Sequence, residues 1–359
     1  MEGASSRYRV YQYIPFLESL GVTCVTQSFM NAKMYKTYFS RGKTVQKFWL
    51  MLKAVFARMV ALRQYPDFDI IYMQRELLPL APPLFERFMK RRGAILIFDY
   101  DDALFIRKPS RYNPIAAYLR SPDKTLQLFT IVDCVVAGNN WLRDRARMSG
   151  AQAITIEVAE DTTRIPMHAP HSNNGPVTIG WLGSTSTVKY LHLITPALQK
   201  IAREYAGAVR FEVMGGGDFT MEGVPWNRSD WSLEEELNAL ARFDIGLMPL
   251  PVEDWAKGKS GGKARTYMAA GVVPVCTAIG YNLSLIDHQK SGCLCNTENE
   301  WYLSLKYLID NPAQRQRLAL NAREHVVKNF SGLEQAQKIR QLFDDVVASS
   351  TSTASRQSD

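Results

Sequence analysis

"DIGLMPLPVEDWAKGKSGGKARTYMAAGVVPV", residues 244–275, is the stretch whose reading decides the fold. Its ends, "DIGLMPL" and "VVPV", are short apolar runs with the length of buried strands. Between them a Gly/Lys loop runs into a helical pattern ending at Gly271. Strand, loop, helix and strand in that order make a parallel unit with a crossover helix. Gly258, Gly261 and Gly262 suit turns that a Cβ would hinder. The helix opens near Lys263, so its first N–H groups and its positive dipole end point into the loop, beside Lys259 and Lys263. Such a loop is expected to cradle a diphosphate. It is not the P-loop pattern, which ends in Gly-Lys-Ser/Thr.

The same alternation extends in both directions. Upstream, "PVTIGWLG" is a strand leading into Gly183, Ser184 and Thr185, and "TSTVKYLHLITPALQKIAREYAG" is one long helix. "VRFEVMGGG" is a strand that ends in Gly215, Gly216 and Gly217, and Trp231 follows a short polar run. The first half repeats the pattern. "SRYRVYQYIPFLESLGV" reads as a helix ended by Gly21, and "TCVTQS", "FDIIYMQ", "AILIFDY", "VDCVVAG" and "AITIEVA" as strands. "EDTTRIPMHAPHSNNGP" has no period and reads as a linker. The expected class is α/β, with two doubly wound, Rossmann-like domains. The boundaries fall at 1–160, a linker over 161–176, 177–330, a final helix over 331–348, and a tail over 349–359 too polar to fold alone. Ligands of open α/β sheets bind beyond the carboxyl ends of the strands, and every Gly or Asp cluster here follows a strand.

With 359 residues, 46% hydrophobic and 22% charged, the chain suits two folded domains of ordinary size. The five cysteines are scattered and, with no second close pair beside Cys293 and Cys295, do not make a zinc site. No apolar run approaches the roughly 20 residues of a membrane span. The start lacks the apolar core of a signal peptide, which places the expected location in the cytoplasm. The net charge of +8 is concentrated between Lys33 and Arg92. There, Phe48, Leu52, Val55, Phe56, Met59 and Leu62 recur at helical spacing, with Lys47, Lys53, Arg58 and Arg63 among or beside them. Two readings fit: a core helix with a solvated basic edge, or a helix over residues 47–63 that touches an anionic membrane surface. No nucleic-acid-binding motif accompanies the charge.

"FDYDDALF", residues 98–105, puts Asp99, Asp101 and Asp102 at a strand end. An Asp-x-Asp pair can carry the divalent metal of a sugar nucleotide, but strand-end acids also serve as caps.

The order of these motifs resembles family-4 glycosyltransferases of the GT-B fold. It is carried by "ASSRYRVYQYIPFLESLGV", "FDYDDALF", "VVAGNNWL", "IGWLGSTSTVKYL", residues 244–275 and "GYN". The resemblance implies a C-terminal domain that binds a nucleotide-sugar donor, an N-terminal acceptor domain, and a final helix that crosses back. It also implies transfer with retention and no bound metal or other cofactor. Asp99 or Asp101 takes the place of the family's cleft histidine, near the acceptor hydroxyl. Two departures stand out. The family's Glu-x7-Glu pair falls on Gly258 and Thr266, so the usual donor-sugar and ribose carboxylates are missing. The opening strand before the Gly-rich turn is also missing, and the chain begins in the turn at Gly3.

Arg7 and Arg9, at that turn, are candidates for a phosphate. Gly183, Ser184, Lys259 and Lys263 are the expected donor-phosphate residues. Gly215, Gly216, Trp231, Gly258 and Thr266 lie in the expected sugar and nucleotide region. Asn139 and Asn140 are read as helix caps, and His168 and His171 as exposed linker residues. The expected function is a retaining glycosyltransferase that moves a sugar to a glycan or lipid-linked acceptor, in surface polysaccharide or glycolipid synthesis. A non-catalytic sugar-nucleotide binder and a GT-B epimerase are the alternatives.

Overall fold

A computed structural model describes residues 4–38, 40, 42–78, 82–107, 121–167 and 175–357. The chain divides into two compact units, Met1–Val158 with Gly332–Asp359, and Ala159–Ser331.

The first unit is built on a parallel sheet of four strands in the order β1 (Ile70–Gln74), β2 (Ile95–Tyr100), β3 (Cys134–Ala137) and β4 (Ala153–Thr155). β2 and β3 are apolar almost throughout and buried on both faces, as central parallel strands must be. "TCVTQS" is not a strand. It runs as a loop with Val25 exposed and pairs with no strand among the described residues. The outer edge of β1 therefore has no strand partner among the described residues. A cavity of about 1550 Å³ lies along that edge, walled partly by the Thr23–Asn31 loop.

Helix α1 (Thr44–Ala61) has the helical period of the basic stretch. Lys47 and Ala54 are buried, while Phe48, Leu52, Phe56 and Met59 of the apolar stripe are exposed, which is not the packing of a core helix. Lys47 Nζ donates to Ser40 O at 2.6 Å and Arg58 Nη2 to Gln27 O at 3.3 Å, so these two cations tie the helix to its own unit.

The second unit holds six parallel strands in the order β10-β9-β8-β5-β6-β7. They are β5 (Val177–Leu182), β6 (Val209–Met214), β7 (Trp226–Ser229), β8 (Ile245–Met248), β9 (Val273–Thr277) and β10 (Cys293–Cys295). β7 and β10 escape the sequence reading because "WNRS" is polar and "CLC" is short. Helix α2 (Gly262–Ala270) joins β8 to β9, as residues 244–275 require. Gly180 and Gly246 let aromatic rings lie on the sheet: a Cβ would come within 2.2 Å of the Phe243 ring and 2.4 Å of Tyr267's. The expected long helix after β5 is split into a 3-10 turn, Val188–Ile194, and an α-helix, Thr195–Glu204. Pro196, which has no N–H to donate, sits in the first turn of the latter.

The expected linker is largely part of this unit. Ile165 is fully buried, and Arg323 donates to Ile165 O and Thr162 O at 2.7 and 2.8 Å. His168 and His171 lie outside the described residues.

Helix α3 (Gly332–Gln357) belongs to the first unit and continues through the segment expected to be an unfolded tail. "ASSTSTASRQ" contains no Gly or Pro to end it. Ser349 and Thr351 donate to the carbonyls four residues back, and this ties their hydroxyls into the helix.

Candidate functional site

In the second unit, strands run outward from the β5–β8 pair in both directions, so the topological switch point lies there. The loops after β5 and β8 meet at that point. A Cβ on Gly183 would lie 2.7 Å from Lys263 Cε, and one on Gly215 would lie 2.1 Å from Gly183 O and 3.1 Å from Trp231 Cβ. Gly183, Gly215, Trp231 and Lys263, which lie up to 80 positions apart in sequence, thus form one wall whose close approach needs the two glycines.

Lys263 Nζ lies 5.0 Å over the Trp181 ring and 3.4 Å from Thr187 Oγ1. It is in no ion pair among the described residues. Burial, reinforced by the charge of Lys259, pulls its pKa down to about 8. Lys259 Nζ sits 4.2 Å over the Trp255 ring. Gly261 has φ +66° and starts α2. Gly258 has an ordinary φ of −74°, and a Cβ on Gly262 would meet nothing within 4 Å, so of the three expected turn glycines Gly261 carries the requirement. Arg265 N–H bonds to Gly261 O, which leaves the N–H groups of the first turn of α2 without an intrahelical acceptor. A half-buried lysine next to that turn is an arrangement that suits an anion. Ser184 is exposed, with its Oγ 2.8 Å from Ser186 Oγ, and Gly216 packs on Val213 and Val188.

Thr266 faces inward. Its hydroxyl donates to Glu160 Oε2 at 2.9 Å, and Glu160 is buried with its pKa pushed up to about 7 by desolvation, against the pull of Arg265. Trp231 is 44% exposed, and its indole N–H bonds to Glu236 Oε2 at 2.8 Å.

The first unit separates the three aspartates. Asp99 is fully buried. Arg9 Nε donates to its Oδ1 at 2.9 Å and Nη2 to Oδ2 at 2.5 Å, while the Tyr72 hydroxyl donates to the same Oδ2. Burial raises the Asp99 pKa and Arg9 opposes the shift. With its oxygens used internally, Asp99 is a structural carboxylate and not the catalytic group the sequence suggested. Arg9 is likewise sealed, with Nη1 on Ile156 O at 2.5 Å, and does not face a phosphate. Arg7 stacks over the Tyr8 ring at 4.9 Å.

Asp101 is different. Its Oδ1 accepts no hydrogen bond, and its nearest cation is Arg75 Nη2 at 3.8 Å. Gly138 makes room for it, since a Cβ there would come within 3.3 Å of Asp101 Cα. Arg75 also holds Asp102 at 2.9 Å and has φ +66°, a strained conformation for a residue with a side chain. Sequence reasoning missed Arg75; its signal was a cation directly after the strand beside "DYDD". Among the described residues no group of three or more His, Cys, Asp or Glu side chains gathers around one point. Asn139 Oδ1 accepts from Leu142 N at 2.9 Å, which makes it a cap as expected.

No protein-family model matches the chain, and no curated protein matches its sequence. Solved structures do match. A glycosyltransferase from Rickettsia africae superposes with a TM-score of 0.67 at 14% identity, over 96% of each chain. Sucrose-phosphate synthase from Thermosynechococcus elongatus gives 0.64 at 14% identity, over 86% of this chain and 81% of that one. HepE from Anabaena, solved in complex with UDP-glucose, gives 0.61 at 13%, over 80% and 82%. The fold is GT-B. In this GT-B chain Lys263 and the glycine wall belong to the second Rossmann-like unit and the Asp101–Arg75 pair to the first.

Proposed function

We propose that this chain is a glycosyltransferase that binds a nucleoside-diphosphate sugar in its second unit and an acceptor in its first. The observation that carries the reading is the convergence of Gly183, Gly215 and Lys263 at the switch point beside the first turn of α2. HepE, which shares the fold and was solved with UDP-glucose, supports the donor class. As the bond between the anomeric carbon and the diphosphate breaks, negative charge gathers on the diphosphate. Lys263 and the α2 N–H groups offset that charge without needing a metal. Asp101, held by Arg75, accepts a hydrogen bond from the acceptor hydroxyl and orients it. The transfer proceeds with retention, and the acceptor is a surface-polysaccharide or lipid-linked precursor at the inner face of the cell membrane.

A panel of sugar nucleotides, assayed for hydrolysis and transfer with and without excess chelator, tests this. Turnover of one donor in chelator is the expected result, and the anomeric configuration of the product reports retention. Loss of all turnover in chelator, restored by Mn²⁺, returns the aspartates to a metal role. The absence of carboxylates at Gly258 and Thr266 favours a second reading, a non-catalytic sugar-nucleotide binder. Tight binding of a donor with no turnover from any member of the panel selects it.

A further inference from the structure

Seven large apolar side chains of α1 point away from the body of the first unit. Val45, Phe48, Trp49, Leu52, Phe56, Met59 and Val60 are all exposed, with Phe48 and Trp49 at 59% and Phe56 at 65%. At 100° per residue they fall within about 120° of one another, which makes one continuous stripe. The stripe runs along an 18-residue helix, about 27 Å. Water-exposed apolar surface of that extent marks a contact surface. The opposite face already carries the packing, through Ala54 and the inward-tied Lys47 and Arg58.

Charge decides what the stripe meets. Between Ser19 and Pro66 the sequence has eight Lys and Arg residues and no Asp or Glu. Lys43, Lys53 and Arg63 are exposed within or at the ends of the helical stretch. A second copy of the chain would bring this basic surface against itself, and like charges would oppose that pairing. An anionic lipid surface complements both features at once: it takes the apolar stripe into its acyl boundary and pairs the cations with its headgroups. Trp49 has the amphipathic ring favoured at that depth. No helix among the described residues is long and apolar enough to cross a membrane, so the contact is interfacial.

We propose that α1 docks the first unit onto anionic membrane through the Val45–Val60 stripe, with Lys43, Lys53 and Arg63 at its border. This adds a named surface to the membrane-presented acceptor above, and its test needs no turnover. Purified chain is sedimented with vesicles of phosphatidylcholine alone and with vesicles containing 30% phosphatidylglycerol, at 50 mM and 500 mM NaCl. Capture is expected on the anionic vesicles at low salt and release at high salt. Replacing Lys43, Lys53 and Arg63 with Gln weakens capture about a hundredfold, at about 1 kcal/mol per cation. The triple change Phe48→Ser, Trp49→Ser, Phe56→Ser abolishes capture and leaves the circular dichroism spectrum unchanged, since all three side chains are exposed. Trp49→Phe retains capture but loses a blue shift of tryptophan emission on binding. Absence of capture by anionic vesicles at low salt overturns the proposal, as does a serine variant that binds as the native chain does. A native dimer that the serine variant converts to monomer, with no vesicle binding by either, assigns the stripe to self-association instead. Donor turnover without capture would sink the docking surface and leave the transferase reading standing.

Discussion

Arg9 and Lys263 are both cations at the carboxyl ends of parallel strands, the first fully and the second partly drawn out of water, and the chain treats them in opposite ways. Arg9 is matched by its own unit, with a two-point bond to Asp99, the Tyr72 hydroxyl on the same carboxylate and a carbonyl on its remaining nitrogen. Lys263 has a tryptophan face and a long hydroxyl contact but no carboxylate, and its pKa falls to about 8. A buried charge that is paired internally belongs to the scaffold. One left to pay its own desolvation is poised for an anion brought from outside.

Breaking the internal pair should have the largest effect. Asp99→Ala leaves the Arg9 guanidinium buried without its counter-charge and is expected to cost about 3–5 kcal/mol of stability. Urea denaturation reads this directly. A variant with native stability that has lost only transfer would return Asp99 to the active site.

Removing the unmatched charge should act on the ligand instead. Lys263→Ala is expected to weaken nucleoside-diphosphate binding by about 1.5–3 kcal/mol in calorimetry, with the fold intact. In the native chain affinity should also decline above pH 8, by up to tenfold per unit, because the unliganded lysine then loses its proton. Stability moves the other way. The folded chain releases this proton near pH 8 and the unfolded chain near 10.5, so the unfolded state holds more protons between those values and stability rises with pH across that window. Affinities that do not change in the alanine variant would remove Lys263 from the phosphate pocket.

Glu160 is intermediate: buried, bonded to Thr266, near Arg265, yet with one oxygen that accepts no hydrogen bond. Its folded pKa of about 7 lies above the ordinary 4.5, so the folded state holds more protons between those values and stability falls as pH rises through them. Glu160→Gln should remove that fall, so the variant gains about 3 kcal/mol on the native chain between pH 4.5 and pH 8. The amide nitrogen stays unpaired where Oε1 was, which lowers the variant by about 2 kcal/mol at every pH. The variant should therefore melt below the native chain at pH 4.5 and slightly above it at pH 8. A difference between the two chains that does not change with pH would mean that Glu160 titrates as an ordinary carboxylate.

The sequence carried most of the architecture because buried parallel strands are written as apolar runs. β2, β3, β5, β8 and β9 fall where those runs are. It failed where a neighbour, not composition, decides. "TCVTQS" has strand residues but no partner strand among the described residues, and "WNRS" has polar residues yet pairs with β6. The loop geometry around the candidate site was legible where backbone is the message, as with the close approaches at Gly183 and Gly215 and the positive φ of Gly261. It was illegible where an ion pair is. Nothing in "FDYDD" says that the first aspartate turns inward to Arg9, 90 positions away, while Asp101 stays in reach of Arg75. Helical period likewise located α1 but could not say which face the unit would keep.

In the test tube the edge of β1 that has no strand partner among the described residues is a solubility hazard. An unpaired strand edge is a template on which another molecule can add its own strand, and such addition propagates. Over that edge stands α3, whose Ile339, Phe343 and Val347 line the same cavity. Phe343 sets its ring 6.0 Å from Tyr72 on β1. The C-terminal helix is thus a lid against aggregation as well as part of the fold. Chains shortened past Phe343 should precipitate at concentrations the full chain tolerates, even with Lys263 and its surroundings in the other unit untouched.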